Sequence, residues 1–291
     1  MRTERFKIHP EYGKAGISKL PEKAAWVEAW ILDHAMDKAE LEPKKPAMIV
    51  VPGGGYYFVS NREADPIAAE YLSAGFSTFI LHYTVPSAPF PTDLMEAAET
   101  IRIVRERSEE WGIDPERVYV IGFSAGGHIA ASLAALWNKG FLSEALGVPA
   151  AMLRPSGCIL GYPVITPKDY RPDSKEESEK TTFDRCFDRI LTGQPEDDWV
   201  LNSLEKQVDR ETPPVFIFST WQDGTVPIEQ SLNFANGLLS AGVETEVHIF
   251  RRGHHGLATA EFPVVREESD DVAPFRKWVE LSVTWIRDLC N

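Results

Sequence analysis

The chain has 291 residues, 43% of them hydrophobic and 25% charged, close to the soluble globular average, which sets aside fibrous, collagen-like and disordered classes. A formal charge of −14 argues against a binder of nucleic acid or of an anionic membrane, since both rely on clustered Lys and Arg, and favours neutral or small ligands. Cys158, Cys186 and Cys290 are odd in number and far apart, with no CxxC spacing, so neither a disulfide framework nor a zinc site is indicated and reduced thiols of a cytoplasmic protein are expected.

In chain order, the start lacks the apolar core of a signal peptide, and no run of about eighteen apolar residues occurs anywhere, so the expectation is a protein neither secreted nor membrane-spanning. Residues 26–32 alternate in part and 47–51 form a short apolar run ended by Pro52 and three glycines; both read as strands. Further apolar runs at 76–81, 118–123, 157–160 and 215–219, with a more alternating one at 244–250, suggest strands covered on both faces, as in a parallel sheet. Helices are predicted between them at 66–73, 93–111, 124–137 and from Pro227, with a last one at 275–289. This alternation specifies an α/β class: a mostly parallel, doubly wound sheet flanked by helices in a single domain over 1–291. The polar stretch 166–210, with a short helix expected at 183–191, interrupts the rhythm before the strand at 215–219; it reads as an insertion, either a solvated loop or a lid over the substrate pocket.

Gly122-Phe123-Ser124-Ala125-Gly126 has the G-x-S-x-G form and sits between a predicted strand and a predicted helix, the setting of a nucleophile elbow. Serine attacks only when a base takes its proton, so an acid and then a histidine should follow. Asp223 comes just after the strand at 215–219 and His255 just after that at 244–250, both on loops at the carboxyl edge of the sheet, where open α/β sheets place their sites. Glu229 is near enough to be a substitute acid, whereas Asp197 and Asp198 follow no buried strand. Pro52-Gly53-Gly54-Gly55-Tyr56 is the candidate oxyanion loop, with the N–H groups of Gly54 and Gly55 joined by that of Ala125. His128, one helical turn past the serine, reads as a core histidine, and His82 as a packing residue. Tyr56 and Tyr83 are the candidate substrate contacts. For Tyr56 and Tyr57, stacking on a sugar ring competes with simply covering the end of the sheet, and for Tyr83 a place on the pocket rim competes with packing.

Taken together, Pro52-Gly53-Gly54-Gly55-Tyr56, Gly122-Phe123-Ser124-Ala125-Gly126-Gly127-His128, Thr212-Pro213-Pro214-Val215-Phe216, Asp223-Gly224-Thr225-Val226-Pro227 and the stretch 246–250 running into His255-Gly256 make the chain resemble the carbohydrate-acetylesterase branch of the α/β-hydrolase family, the acetyl xylan esterases and prolyl-oligopeptidase-type hydrolases without a propeller. It departs from many of them in having Pro52 where they have histidine, and in the 166–210 segment. The resemblance implies a serine esterase acting on a small-molecule or oligosaccharide ester, with a short acyl group such as acetyl on a carbohydrate. Its pattern of histidine followed by glycine favours His255 over His254 as the base. Amide hydrolysis, as in arylformamidases or small peptidases, is the alternative on the same residues, and a catalytically silent binding protein is the alternative of another class. No metal or organic cofactor is implied, and a homo-oligomer stays open.

Overall fold

The computed structural model describes residues 1–17, 23–33, 42–86, 89–167, 175–191, 200–261 and 272–290. Its strands are β1 (Arg2–Lys7), β2 (Trp26–Ile31), β3 (Lys45–Val51), β4 (Ser77–His82), β5 (Ile113–Phe123), β6 (Cys158–Gly161), β7 (Val215–Thr220) and β8 (Thr245–Phe250). They form one sheet in the order β1-β2-β4-β3-β5-β6-β7-β8. From β4 through β8 every pairing is parallel, and β2 runs antiparallel to both β1 and β4.

The apolar runs are central because both of their faces are covered. Ile49, Val51, Val120 and Leu160 point into one core with α2 (Thr92–Glu106), α4 (Ser124–Leu136), α5 (Gly140–Leu146), α6 (Thr182–Leu191) and α7 (Glu229–Ala241). Their neighbours Met48, Val50, Ile121 and Phe218 point into the other, with α1 (Asp65–Ser73) and α8 (Trp278–Leu289). Each fully buried Leu, Ile or Phe side chain stabilises the fold by about 1.5–3 kcal/mol, so continuous apolar strands belong only in such a two-sided position.

Two readings of the sequence change. The helix expected at 93–111 is broken: α2 ends at Glu106, Arg107 leaves helical geometry, and a short α3 (Ser108–Trp111) is stopped by left-handed Gly112. Arg107 fills the break by lying 4.1 Å above the Trp111 ring and pairing with Glu4 and Glu110. The edge strand β1 was not expected from its composition, because only Glu4 and Phe6 are even half-buried and charge is what protects an exposed sheet edge. No helix among the described residues is long and apolar enough to cross a membrane.

Strand order reverses between β3 and β5, since β4 lies on one side of β3 and β5 on the other. Loops leaving the carboxyl ends of two such strands diverge and open a crevice there. Val51 pairs with Gly122, so the glycine loop after β3 and the turn after β5 leave the sheet side by side.

Candidate active site

The turn after β5 is strained at its centre: Ser124 has φ 53, a left-handed conformation costly for a residue with a side chain. Its flanking glycines make that turn possible. A side chain on Gly122 would begin 2.2 Å from the Gly126 carbonyl oxygen, and one on Gly126 would begin 2.2 Å from that of Val51. Ser124 is thereby raised at the first turn of α4, where unpaired backbone N–H groups concentrate positive potential.

Ser124, His255 and Asp223, from three separate loops, are brought into one hydrogen-bonded line. The Ser124 hydroxyl donates to His255 Nε2 at 2.8 Å, and His255 Nδ1 donates to Asp223 Oδ2 at 2.7 Å, the direction that an acceptor-only carboxylate imposes. The other carboxylate oxygen of Asp223 accepts the N–H groups of Thr225 at 2.8 Å and Val226 at 2.9 Å. The Asp223 side chain is 2% exposed against 15% for His255, so the acid is held inside and the imidazole faces the pocket. Glu229 is exposed at the start of α7 and takes no part, and Asp197 and Asp198 lie outside the described residues. His254 is exposed and spends its Nδ1 on the His255 carbonyl oxygen at 2.8 Å.

Beside the serine, Gly54 and Gly55 line a cavity of about 280 Å³ together with Tyr57, Phe58, Arg62, Glu63, His255 and the α6 residues Phe183, Cys186 and Arg189. Among the described residues, neither the Gly54 nor the Gly55 N–H donates a hydrogen bond, while that of Gly53 is taken by Glu63 Oε2 at 3.0 Å. The loop needs glycine at position 54: φ is +128 there, and a side chain would begin 1.8 Å from the Phe58 carbonyl oxygen.

The two expected substrate contacts are corrected. Tyr56 is 0% exposed, with its hydroxyl hydrogen-bonded to His128 Nδ1 at 2.5 Å, and Tyr83 is 2% exposed, with its hydroxyl donating to the Gly53 carbonyl oxygen at 3.3 Å. Both rings support the glycine loop from within. The aromatic residues that line the cavity and stay exposed are Tyr57 and Phe58. His128 is buried, and burial pushes its pKa down to about 4, so it stays neutral beneath the loop. His82 stacks on Trp26 with ring centres 3.7 Å apart, as a packing residue.

Sequence reasoning overlooked Glu63 and Tyr162. Tyr162 sits just past the carboxyl end of β6, with φ 36 and its ring 4.9 Å from that of His255. The edge rule that located Asp223 and His255 applies equally to this tyrosine. Glu63 lies in a short 3-10 turn before α1 and carries no motif that would have marked it.

The profile of the alpha/beta hydrolase fold matches residues 48–259. The chain is 35% identical over 224 residues to endo-1,4-beta-xylanase B of Butyrivibrio fibrisolvens, covering 75% of this chain and 33% of that protein. It is 29% identical over 218 residues to an acetylxylan esterase of Xylanibacter ruminicola, covering 74% and 42%. The chain thus spans between a third and a half of the length of these curated relatives. Among solved structures, the acetyl ester-xyloside bifunctional hydrolase from Caldicellulosiruptor lactoaceticus superposes with a TM-score of 0.73 at 31% identity, over 92% of this chain and 89% of that one. A matching profile over most of the chain, together with that structural relative, establishes that the chain belongs to the alpha/beta hydrolase family.

Proposed function

We propose that the chain is a serine carboxylesterase that removes acetyl and other short acyl groups from a carbohydrate such as a xylo-oligosaccharide. The observation that carries this reading is the line Asp223–His255–Ser124, with contacts of 2.7 and 2.8 Å, ending at the mouth of a small cavity. Ser124 Oγ attacks the acyl carbonyl carbon while His255 Nε2 takes its proton, and Asp223 holds the imidazole and stabilises its charged form. The carbonyl oxygen, now negative, is met by the Gly54, Gly55 and Ala125 N–H groups. As the bond from the acyl carbon to the sugar oxygen breaks, His255 gives its proton to that oxygen, which departs as a hydroxyl and leaves an acyl-enzyme. Water, deprotonated by the same histidine, releases the carboxylic acid and restores Ser124.

Two features support the substrate class. The cavity, about 280 Å³, lies just below the usual size range of ligand pockets, which suits a short acyl group. The relatives named for acetylated xylan or xylosides share most of this chain's length with it. We assign α6, which lies within the 166–210 segment, to the pocket wall through Phe183, Cys186 and Arg189.

The test is hydrolysis of p-nitrophenyl acetate, butyrate and octanoate beside acetate release from an acetylated xylo-oligosaccharide, with Ser124→Ala as the blank. Expected are Ser124-dependent acetate release from the sugar and falling rates with longer acyl chains. Activity on synthetic esters alone would keep the chemistry and discard the sugar, and activity on a formamide or anilide instead would assign the site to amides.

A further inference from the structure

Glu63 is 3% exposed, and among the described residues it forms no ion pair, although burying a carboxylate costs several kcal/mol unless its oxygens are satisfied. One of its oxygens binds the glycine loop, and the other binds Tyr162, which bridges to the histidine loop. Oε2 accepts the Gly53 N–H at 3.0 Å and Oε1 accepts the Tyr162 hydroxyl at 2.7 Å. That hydroxyl in turn accepts the N–H of Ala258, three residues past His255, at 3.0 Å.

On the first side, Gly53 is a spacer with no slack. A side chain there would begin 2.7 Å from Glu63 Oε2 and 3.0 Å from Ser124 Cβ. The carboxylate takes the Gly53 N–H while the Gly53 carbonyl, in the next peptide, receives the Ser60 N–H and the Tyr83 hydroxyl, so Gly53 is fixed on both sides and, among the described residues, the free N–H groups that follow are those of Gly54 and Gly55. On the second side, Tyr162 meets the His255 ring edge to face, and its backbone and that of Ala258 are both left-handed, at φ 36 and 50. Strained residues of this kind keep their place only where surrounding bonds over-determine them, and Glu63 holds the centre of those bonds. Burial and the adjacent carboxylate push the Tyr162 hydroxyl far above the usual tyrosine range, so it remains a donor to Glu63.

We infer that Glu63 is a positioning residue that couples the oxyanion loop to the histidine loop through Gly53 and Tyr162, setting the separation between oxyanion donors and base. The inference rests on the serine-esterase reading above. A site held only to within an ångström loses rate steeply, because its donors must meet the oxyanion and not the ground-state carbonyl.

The experiment measures kcat and KM for p-nitrophenyl acetate, and affinity for a boronic acid that mimics the tetrahedral adduct, in wild type, Glu63→Gln, Glu63→Ala, Tyr162→Phe and Ser124→Ala. Expected is a fall in kcat of about 10²-fold for Glu63→Gln, similar to loss of one oxyanion donor. KM should stay within about threefold and boronate affinity should fall in step with kcat. Glu63→Ala should be worse than Glu63→Gln, which can still accept the Gly53 N–H. Tyr162→Phe, which loses one hydroxyl and keeps its ring, should lose about tenfold in kcat, and it decides the matter if the Glu63 variants do not fold. Wild-type kcat and boronate affinity in folded Glu63→Gln, or in Tyr162→Phe should Glu63→Gln not fold, would overturn the coupling and leave the esterase reading intact. A wild type whose turnover survives Ser124→Ala would overturn that reading, and the role of Glu63 with it.

Discussion

The Cys186 sulfur of α6 lies 3.5 Å from the point at which a side chain on Gly55 would begin. α6 therefore packs against the glycine loop, and in the proposed reaction an acyl group whose oxygen faced Gly54 and Gly55 would lie in a cavity that this sulfur helps to line. Burial pushes the Cys186 thiol up to about 11, so it is a neutral wall and not a second nucleophile. Cys186→Ala should raise kcat/KM for p-nitrophenyl butyrate relative to acetate by about tenfold, the lower end of what one methylene is worth in a pocket. An unchanged butyrate-to-acetate ratio would show that α6 does not bound the acyl chain.

The adjacent histidines separate base from neighbour. His255 carries both bonds of the proposed relay, whereas His254 is exposed and, among the described residues, its side chain bonds only to the His255 carbonyl. His255→Ala should lower kcat for p-nitrophenyl acetate by about 10⁴-fold or more, since removing one member of such a relay costs nearly as much as removing all of it. His254→Ala should stay within about threefold. A dead His254 variant beside an active His255 variant would reverse the assignment.

What was legible in the sequence was whatever depends on local pattern. Apolar runs such as 47–51 and 215–219 announce strands covered on both faces, and the positions of Ser124, Asp223 and His255 follow from the rule that loops after parallel strands share one edge. The short helix in the insertion was also legible, expected at 183–191 and found as Thr182–Leu191, because its apolar residues recur at helical spacing. The direction of a side chain is not a local property. Tyr56 and Tyr57 are neighbours of the same type, yet the first is 0% and the second 66% exposed, because Tyr56 turns inward at φ 59 to meet His128. Glu63 was illegible for a related reason: its partners Gly53 and Tyr162 are 10 and 99 residues away, and only the folded sheet brings them to one carboxylate.

A second buried carboxylate makes stability depend on pH. Glu96 on α2 is 0% exposed and accepts the Thr84 N–H at 2.8 Å, the Thr84 hydroxyl at 2.5 Å and the Tyr12 hydroxyl at 2.8 Å. Burial, the largest influence, with the nearby Asp93 charge as a smaller one, outweighs these donors and pushes its pKa from 4.5 up to about 7. The folded protein thus holds the proton more tightly than the unfolded chain does. The resulting stabilisation is complete below about pH 4.5 and is lost as pH rises through about 7, because ionisation is then favoured in the unfolded state. A shift of this size is worth roughly 2–3 kcal/mol between pH 5 and pH 8. Glu96→Gln keeps the shape, can accept the Thr84 N–H and can donate to either hydroxyl, but cannot ionise. Urea unfolding of both proteins at pH 5 and pH 8 should therefore show the wild type losing about 2–3 kcal/mol more than the variant between the two pH values. Equal losses would mean that Glu96 titrates in the folded protein as it does in the unfolded chain, with its three donors offsetting burial in full.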